Sequence, residues 1–257
     1  MDTDAKTSGN YFTKSVEMLA RSGFKISINT DMSDWRTVLL SDPNIPMVNA
    51  TFDPEHSTIR PGQAFWIGVH DAEGIVAAIA DRHFESADYR AEYLVTARAH
   101  FDNPPMSMPV TSDTEGEVWS GSIGHSGGLW VHPRAKKQGL SWLLPRMCRA
   151  LSIQQWDVDR HIGMCFEAIY RAGFPTKVYG FPEEEVWLLA DGVHPVVRKP
   201  ARIYVFHMDR AAIVDQFRHE LSVFEQAGDK QLRDIAFIVG QRQNQAAEVE
   251  KVLADER

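Results

Sequence analysis

Between Gly127 and Ser152 the chain runs through an apolar strand, a basic turn and an amphipathic helix without a break. Gly127-Gly128-Leu129-Trp130-Val131 is apolar behind paired glycines, His132-Pro133 ends the run, and Arg134, Lys136 and Lys137 follow. Beyond Gly139, the residues Leu140, Leu143, Leu144, Met147 and Leu151 recur at i, i+3, i+4, i+7 and i+11, which is one face of a helix. A helix start carries unpaired N–H groups and the positive end of the macrodipole, so this turn is suited to an anion. Gly139 offers a backbone with no side chain in the way, and the three cations offer charge. The same residues also suit a solvated basic turn that merely caps a helix. Pro145 lies inside the helical run, where it removes a donor and is expected to kink the helix.

The 257 residues suffice for one large domain, and the hydrophobic and charged fractions, 44% and 24%, are those of a globular protein. A formal net charge of −8 argues against a general nucleic-acid binder. The two cysteines, Cys148 and Cys165, are too few for a disulfide framework or a thiolate metal site. His161 and Cys165 stand four apart without further ligands nearby, so no metal is expected; Cys165 reads as a small buried residue or, with His161, as a nucleophile. The opening residues lack the basic and apolar regions of a signal peptide, and no apolar run approaches the roughly 18 residues of a membrane span. A cytoplasmic protein with no membrane partner is expected.

Read in order, residues 1–10 are polar and frayed, and a short helix over 11–21 stops at Gly23. A strand follows from Phe24 to Ile28, then Asp31 to Asp34 supply N-cap residues for a helix through Trp35, Val38 and Leu39. The proline-rich stretch 42–62 is a long connection of the kind that covers sites. Ala64–Val69 and Ile75–Ala80 flank a turn at residues 70–74 and make a β-hairpin. Residues 87–100 read as a helix burying Tyr89, Tyr93 and Leu94, and 101–117 as a second loop over a site. A strand at 161–166, a short helix through Tyr170 to Gly173, and strands at 185–189 and 203–208 complete the sheet. Asp209 caps a helix that Gly228 ends, and Leu232, Ile235, Val239, Arg242, Ala246, Val249 and Leu253 form a seam on a last helix. The pair is a helical hairpin, whose seam either packs on its own domain or forms a homodimer contact.

The basic turn resembles the cofactor motif of the GNAT superfamily of N-acetyltransferases, Gln/Arg-x-x-Gly-x-Gly/Ala after a Val-x-Pro-like strand end. Here the strand end is Val131-His132-Pro133, and the motif falls on Lys136, Gly139 and Ser141, with Lys and Ser as departures. The order of elements from Phe24 to Met208 is similar to that fold as well, and Tyr170-Arg171-Ala172-Gly173-Phe174 is similar to a second family segment, its Tyr one residue nearer the Gly-Phe.

The resemblance implies an α/β fold with a mixed central sheet, splayed parallel strands and flanking helices. It divides the chain into an N-terminal extension (1–23), an acyltransferase domain (24–208) and a C-terminal helical appendage (209–257). It implies acetyl-CoA, or another acyl-CoA, as co-substrate, lying between the strands that end near Val131 and Cys165. Gly127-Gly128 would form the bulge that opens the gap. Leu129, Trp130 and Val131 would meet the pantetheine amides, and Arg134, Lys136, Lys137, Gln138, Gly139, Leu140 and Ser141 the phosphates. The implied reaction is acyl transfer to the primary amine of a small molecule or peptide by direct attack, with Tyr170 as the acid. The base is open among His125, Glu117, His132 and a water chain, with His125 the first to test. Two other readings stay open: an acyl-CoA-binding module of the same fold without turnover, and a synthase using longer acyl donors.

Overall fold

The computed structural model describes residues 3–45, 47–104, 118–193 and 199–240. Helix α1 (Thr3–Arg21) leads into strand β1 (Lys25–Asn29), helix α2 (Met32–Leu40) and a 3-10 turn at Ala50–Phe52. The hairpin β2 (Ala64–Asp71) and β3 (Gly74–Ser86) follows, then β4 (Gly121–Val131), α3 (Leu140–Trp156), β5 (Arg160–Phe166) and α4 (Glu167–Arg171). Strands β6 (Val186–Val193) and β7 (Pro200–Asp209), helix α5 (Arg210–Ala227) and helix α6 (232–240) end the described chain.

One sheet of seven strands runs β1-β2-β3-β4-β5-β7-β6. Every neighbouring pair is antiparallel except β4 and β5, which are parallel. This mixed sheet with a central parallel pair and flanking helices is the architecture the resemblance implied. Side-chain alternation divides the sheet into two faces. Phe65, Ile67 and Val69 of β2, Ile79 of β3 and Phe206 and Met208 of β7 pack with Leu143, Leu144 and Met147 of α3 and with α1, α5 and α6. The opposite face carries two smaller clusters. Trp66, Ala78, Ala80 and Trp130 lie under Trp35 and Leu39 of α2, and Ile123, Ile162 and Val205 lie under Tyr89, Leu94 and Ala99.

Capping chemistry fixes several boundaries. Asp31 accepts hydrogen bonds from the N–H groups of Ser33 and Asp34, and Asp209 accepts one from that of Ala212. Helix α3 continues through Pro145 to Trp156. Two expectations need correction. Residues 3–10 are not frayed: the helix already runs from Thr3, because Ser8 and Tyr11 are buried against the main core. Nor do residues 87–100 form a full helix. One π-helical turn spans Arg90–Leu94, and Ala97 then takes a left-handed conformation, which ends helical hydrogen bonding. Tyr89 and Leu94 are nonetheless buried, as their apolar pattern required. The expected loop at 101–117 lies mostly outside the described residues, as do Glu117 and the seam positions from Arg242 onward. The first three seam residues, Leu232, Ile235 and Val239, are fully buried in the chain's own core.

Helices α1, α3 and α5 meet around a buried ionic knot. Glu220 accepts from Arg146 Nε at 2.8 Å and from the Tyr11 hydroxyl at 2.6 Å, while Arg149 donates to the Tyr179 carbonyl at 2.7 Å. Burial, and then the neighbouring Arg146, hold the Arg149 guanidinium down to about 9. Glu220 therefore supplies the counter-charge for two cations in the core, and losing it leaves both uncompensated. Urea denaturation of Glu220→Gln is expected to show a loss of about 3–5 kcal/mol. Asp215→Asn, which breaks an exposed pair with Arg218, should cost about 1 kcal/mol or less. Equal effects for the two variants would contradict the role given to Glu220.

Candidate active site

Strands β4 and β5 pair for only four positions, Ile123 with Arg160 through Ser126 with Gly163. Past that point β5 stays hydrogen-bonded to β7 up to Phe166. Strand β4 stays with β3, but its register slips between Ala78 and Ala80. Gly128 lies in the slipped segment with φ +61, and a Cβ there would run into the Trp35 ring. Only glycine meets both demands, so the bulge expected at Gly127-Gly128 is present. Val131 pairs opposite Ala77, and the His132 N–H donates to the Val76 carbonyl at 2.8 Å. The alternation of an antiparallel ladder then turns the Val131 N–H and C=O away from β3, toward the gap that β5 has left. Trp130 points to the other face, its indole N–H donating to Asp42 at 2.9 Å. Leu129 and Val131 lean on the main core.

From the gap the chain of β4 runs through a short turn into the start of α3. Lys137 and Gly139 both take positive φ, +63 and +85, on either side of Gln138. Left-handed residues alternating with ordinary ones turn backbone N–H groups into a shared concavity. Leu140 and Ser141 open the helix, so their N–H groups have no intrahelical acceptor. Lys136 and Lys137 are exposed. Arg134 is directed elsewhere, forming a two-bond ion pair with Asp71 of the hairpin turn at 2.8 and 3.1 Å. That pairing also holds the Asp71 carboxyl down to about 2. The side of Gly139 that a Cβ would occupy is filled by Leu232 of α6, 2.9 Å from that position. The clearance at Gly139 thus serves the packing of α6 as well as any ligand.

On the sheet face away from α3, a cavity of about 230 Å³ opens at the same gap. Met164, Cys165 and Phe166 of β5 form one side; Leu189, Ala190 and Ile203 of β6 and β7 continue it. Residues 47–50 and the segment from Leu94 to Phe101 close it over. These two connections are tied together by Thr51 Oγ1 and His100 Nδ1 at 2.6 Å, and by the Thr58 N–H donating to Asp102 at 2.8 Å. Arg82 of β3 pins the first of them, donating to the Thr51 carbonyl, the Ser57 hydroxyl and the Thr58 carbonyl. Asn49 and Phe52 sit directly over Gly127, at 2.9 and 2.8 Å from where its Cβ would be.

The expected catalytic residues fall in distinct places. His125 is fully buried, its Nδ1 2.8 Å from the Tyr89 hydroxyl. Burial, then the nearby His100, His161 and Arg82, push its pKa well below the ordinary value, so it stays neutral. The histidine that does line the cavity is His100, which the sequence pattern had placed at the end of a helix. Its signal, a His closing a helical run before an aromatic, is too weak to single out. Tyr170 of α4 is 38% exposed and stacks on Tyr204 with centroids 3.7 Å apart. His132 accepts a hydrogen bond from the Arg134 N–H. His161 faces α3 and is buried against Asp81 at 2.7 Å, so it does not serve Cys165. Among the described residues no group of three or more His, Cys, Asp or Glu could hold a metal, and no helix is long and apolar enough to cross a membrane.

No protein-family model matches the chain, and no curated relative matches it. Solved structures are similar to it over most of its length. NAA60 of Arabidopsis thaliana in complex with acetyl-CoA is 11% identical, with 72% of this chain and 98% of that chain covered and a TM-score of 0.48. The aminoglycoside N(6')-acetyltransferase of Legionella pneumophila is 13% identical over 76% of this chain and 96% of that one, with a TM-score of 0.42. FeeM, an N-acyl amino acid synthase from uncultured soil microbes, is 11% identical over 76% and 93%, with a TM-score of 0.41.

Burial pushes the Cys165 thiol up to about 12. Such a thiol is almost wholly protonated near neutrality and makes a poor nucleophile. Iodoacetamide labelling of Cys165 at pH 8 should lag that of a free cysteine by roughly a thousandfold. Labelling at an ordinary rate, or a thioester on Cys165 after mixing with acetyl-CoA, would contradict this.

Proposed function

We propose that this protein is an acyl-CoA-dependent N-acyltransferase, and that the cofactor lies in the gap between β4 and β5. The observation that carries the reading is the parting of the parallel pair, with β4 leading from it through a basic turn into an anion-suited helix start. A thioester ligand has a polar, amide-bearing arm and a pyrophosphate, and the gap offers what each needs. Backbone groups near Leu129, Trp130 and Val131 would pair with the amides. The N–H groups from Gln138 to Ser141, with Lys136 and Lys137, would hold the pyrophosphate. Arg134 lies outside this cradle while Asp71 holds it.

The reaction that fits is direct attack. An amine nitrogen adds to the thioester carbonyl, a strand N–H beside the bulge stabilises the oxyanion, and the C–S bond breaks. The half-buried, protonated Cys165 and the engagement of His161 by Asp81 disfavour an acyl-enzyme route. The ammonium must lose a proton and the thiolate must gain one. Tyr170, 38% exposed on the short helix that follows β5, would be the acid. The buried, neutral His125 is poorly suited to be the base, which stays open among Glu117, His132 and a water chain. His125 then acts by fixing Tyr89 beneath the site. The acceptor is a small-molecule or peptide amine, and the setting is cytoplasmic.

Calorimetric titration with acetyl-CoA, followed by a thiol-release assay across an amine panel, tests the reading. Lys136→Glu combined with Lys137→Glu is expected to weaken acetyl-CoA binding on the order of 10- to 100-fold with the fold intact, since both side chains are exposed. Gly139→Glu is a poorer probe because it would also displace Leu232. Absence of any CoA binding would overturn the proposal. Binding without thiol release on any amine would leave a binding module of the same fold.

A further inference from the structure

The cavity beside the gap has walls unlike those of a site for a charged acceptor. Leu94, Phe101, Met164, Leu189, Ala190 and Ile203 supply hydrocarbon, and among the described residues the lining holds no Asp, Glu, Lys or Arg. Its polar side chains are already engaged: Asn49 caps the turn at Ala50–Phe52, and His100 is held by Thr51. At the mouth, Phe166 is 47% exposed and Val95 39%, leaving apolar surface in water that a ligand would cover.

We infer that this cavity holds the hydrocarbon chain of the acyl donor, and that the preferred donor is longer than acetyl. The inference rests on the acyl-CoA reading above, because that reading puts the thioester carbonyl at the gap. One side of the cavity is the part of β5 that has left β4, and its cover, Asn49, sits over Gly127. A chain attached to a carbonyl in the gap is therefore led into the cavity by its own covalent bond. An attacking amine arrives as an ammonium, and the described residues of the wall offer that charge no carboxylate. An acyl chain carries no charge and gains by leaving water. A volume of about 230 Å³ is below the roughly 300–1,000 Å³ of drug-sized pockets, which suits one slender chain.

The test is a series of saturated acyl-CoAs from acetyl to dodecanoyl, read by calorimetry and by transfer to a fixed amine. Affinity is expected to rise by up to about fourfold per methylene while the chain still has room. Octanoyl-CoA should exceed acetyl-CoA by at least about a hundredfold. Ala190→Phe, which fills the cavity from β6, should erase that gain while leaving acetyl-CoA affinity within about threefold; Val95→Trp at the exposed mouth is the second variant should the first not fold. A flat series with acetyl-CoA bound would overturn the inference and leave the acyltransferase reading standing. A rise that appears only along a series of alkylamines at fixed acetyl-CoA would give the cavity to the acceptor and equally overturn it. Failure of every acyl-CoA to bind would remove both.

Discussion

The proposed function depends on a parallel strand pair that stops pairing. Backbone N–H and C=O groups in a sheet are obligatory hydrogen-bonding groups, and a strand edge left bare must find another partner. β4 and β5 share four register positions and then each keeps only its outer neighbour. The bulge at Gly128 bends β4 away, and the continued pairing of β5 with β7 keeps the other side straight. The result is a slot with polar backbone on its edges and an apolar cavity on one face, from which β4 leads on into α3. A long thioester, polar along its arm, anionic at one end and hydrocarbon at the other, has the same sequence of chemistries.

The surrounding packing holds that slot open. Trp35 lies against Gly128, Asn49 and Phe52 lie on Gly127, and Arg82 fixes the connection that carries them. On the opposite face, α3 must stay aligned so that its first turn meets the slot. It is gripped by the Glu220, Arg146 and Tyr11 knot near its middle and by Leu232 at its mouth. The helices outside the central fold therefore bear on the site: α1 and α5 hold α3 in place, and α6 forms a wall beside Gly139. A small shift of α6 would move the backbone around Gly139.

Local chemistry made much of this legible in the sequence. The apolar stripe from Leu140 to Leu151, the caps Asp31 and Asp209, the hairpin and the paired glycines are properties of neighbouring residues, and the fold respects them. What escaped were contacts across long separations. Arg134 reads as a phosphate ligand until Asp71, more than sixty residues away, pairs with it. Gly139 reads as clearance for an anion until Leu232 fills its side. His125 sits in the right strand, but Tyr89 and Phe52 close over it, and His100 reaches the cavity instead. The helix expected over residues 87–100 failed for a similar reason: burial of Tyr89 and Leu94 was readable, but the turn at Ala97 was not.

A crystal structure of the protein soaked with a non-transferable octanoyl-CoA thioether measures the central claim most directly. The account predicts pyrophosphate density at the N–H groups of residues 138–141, the pantetheine arm between β4 and β5, and the chain in the cavity against Met164 and Ala190. Density for the ligand anywhere outside the gap, or an occupied gap with the pyrophosphate away from the start of α3, would contradict it.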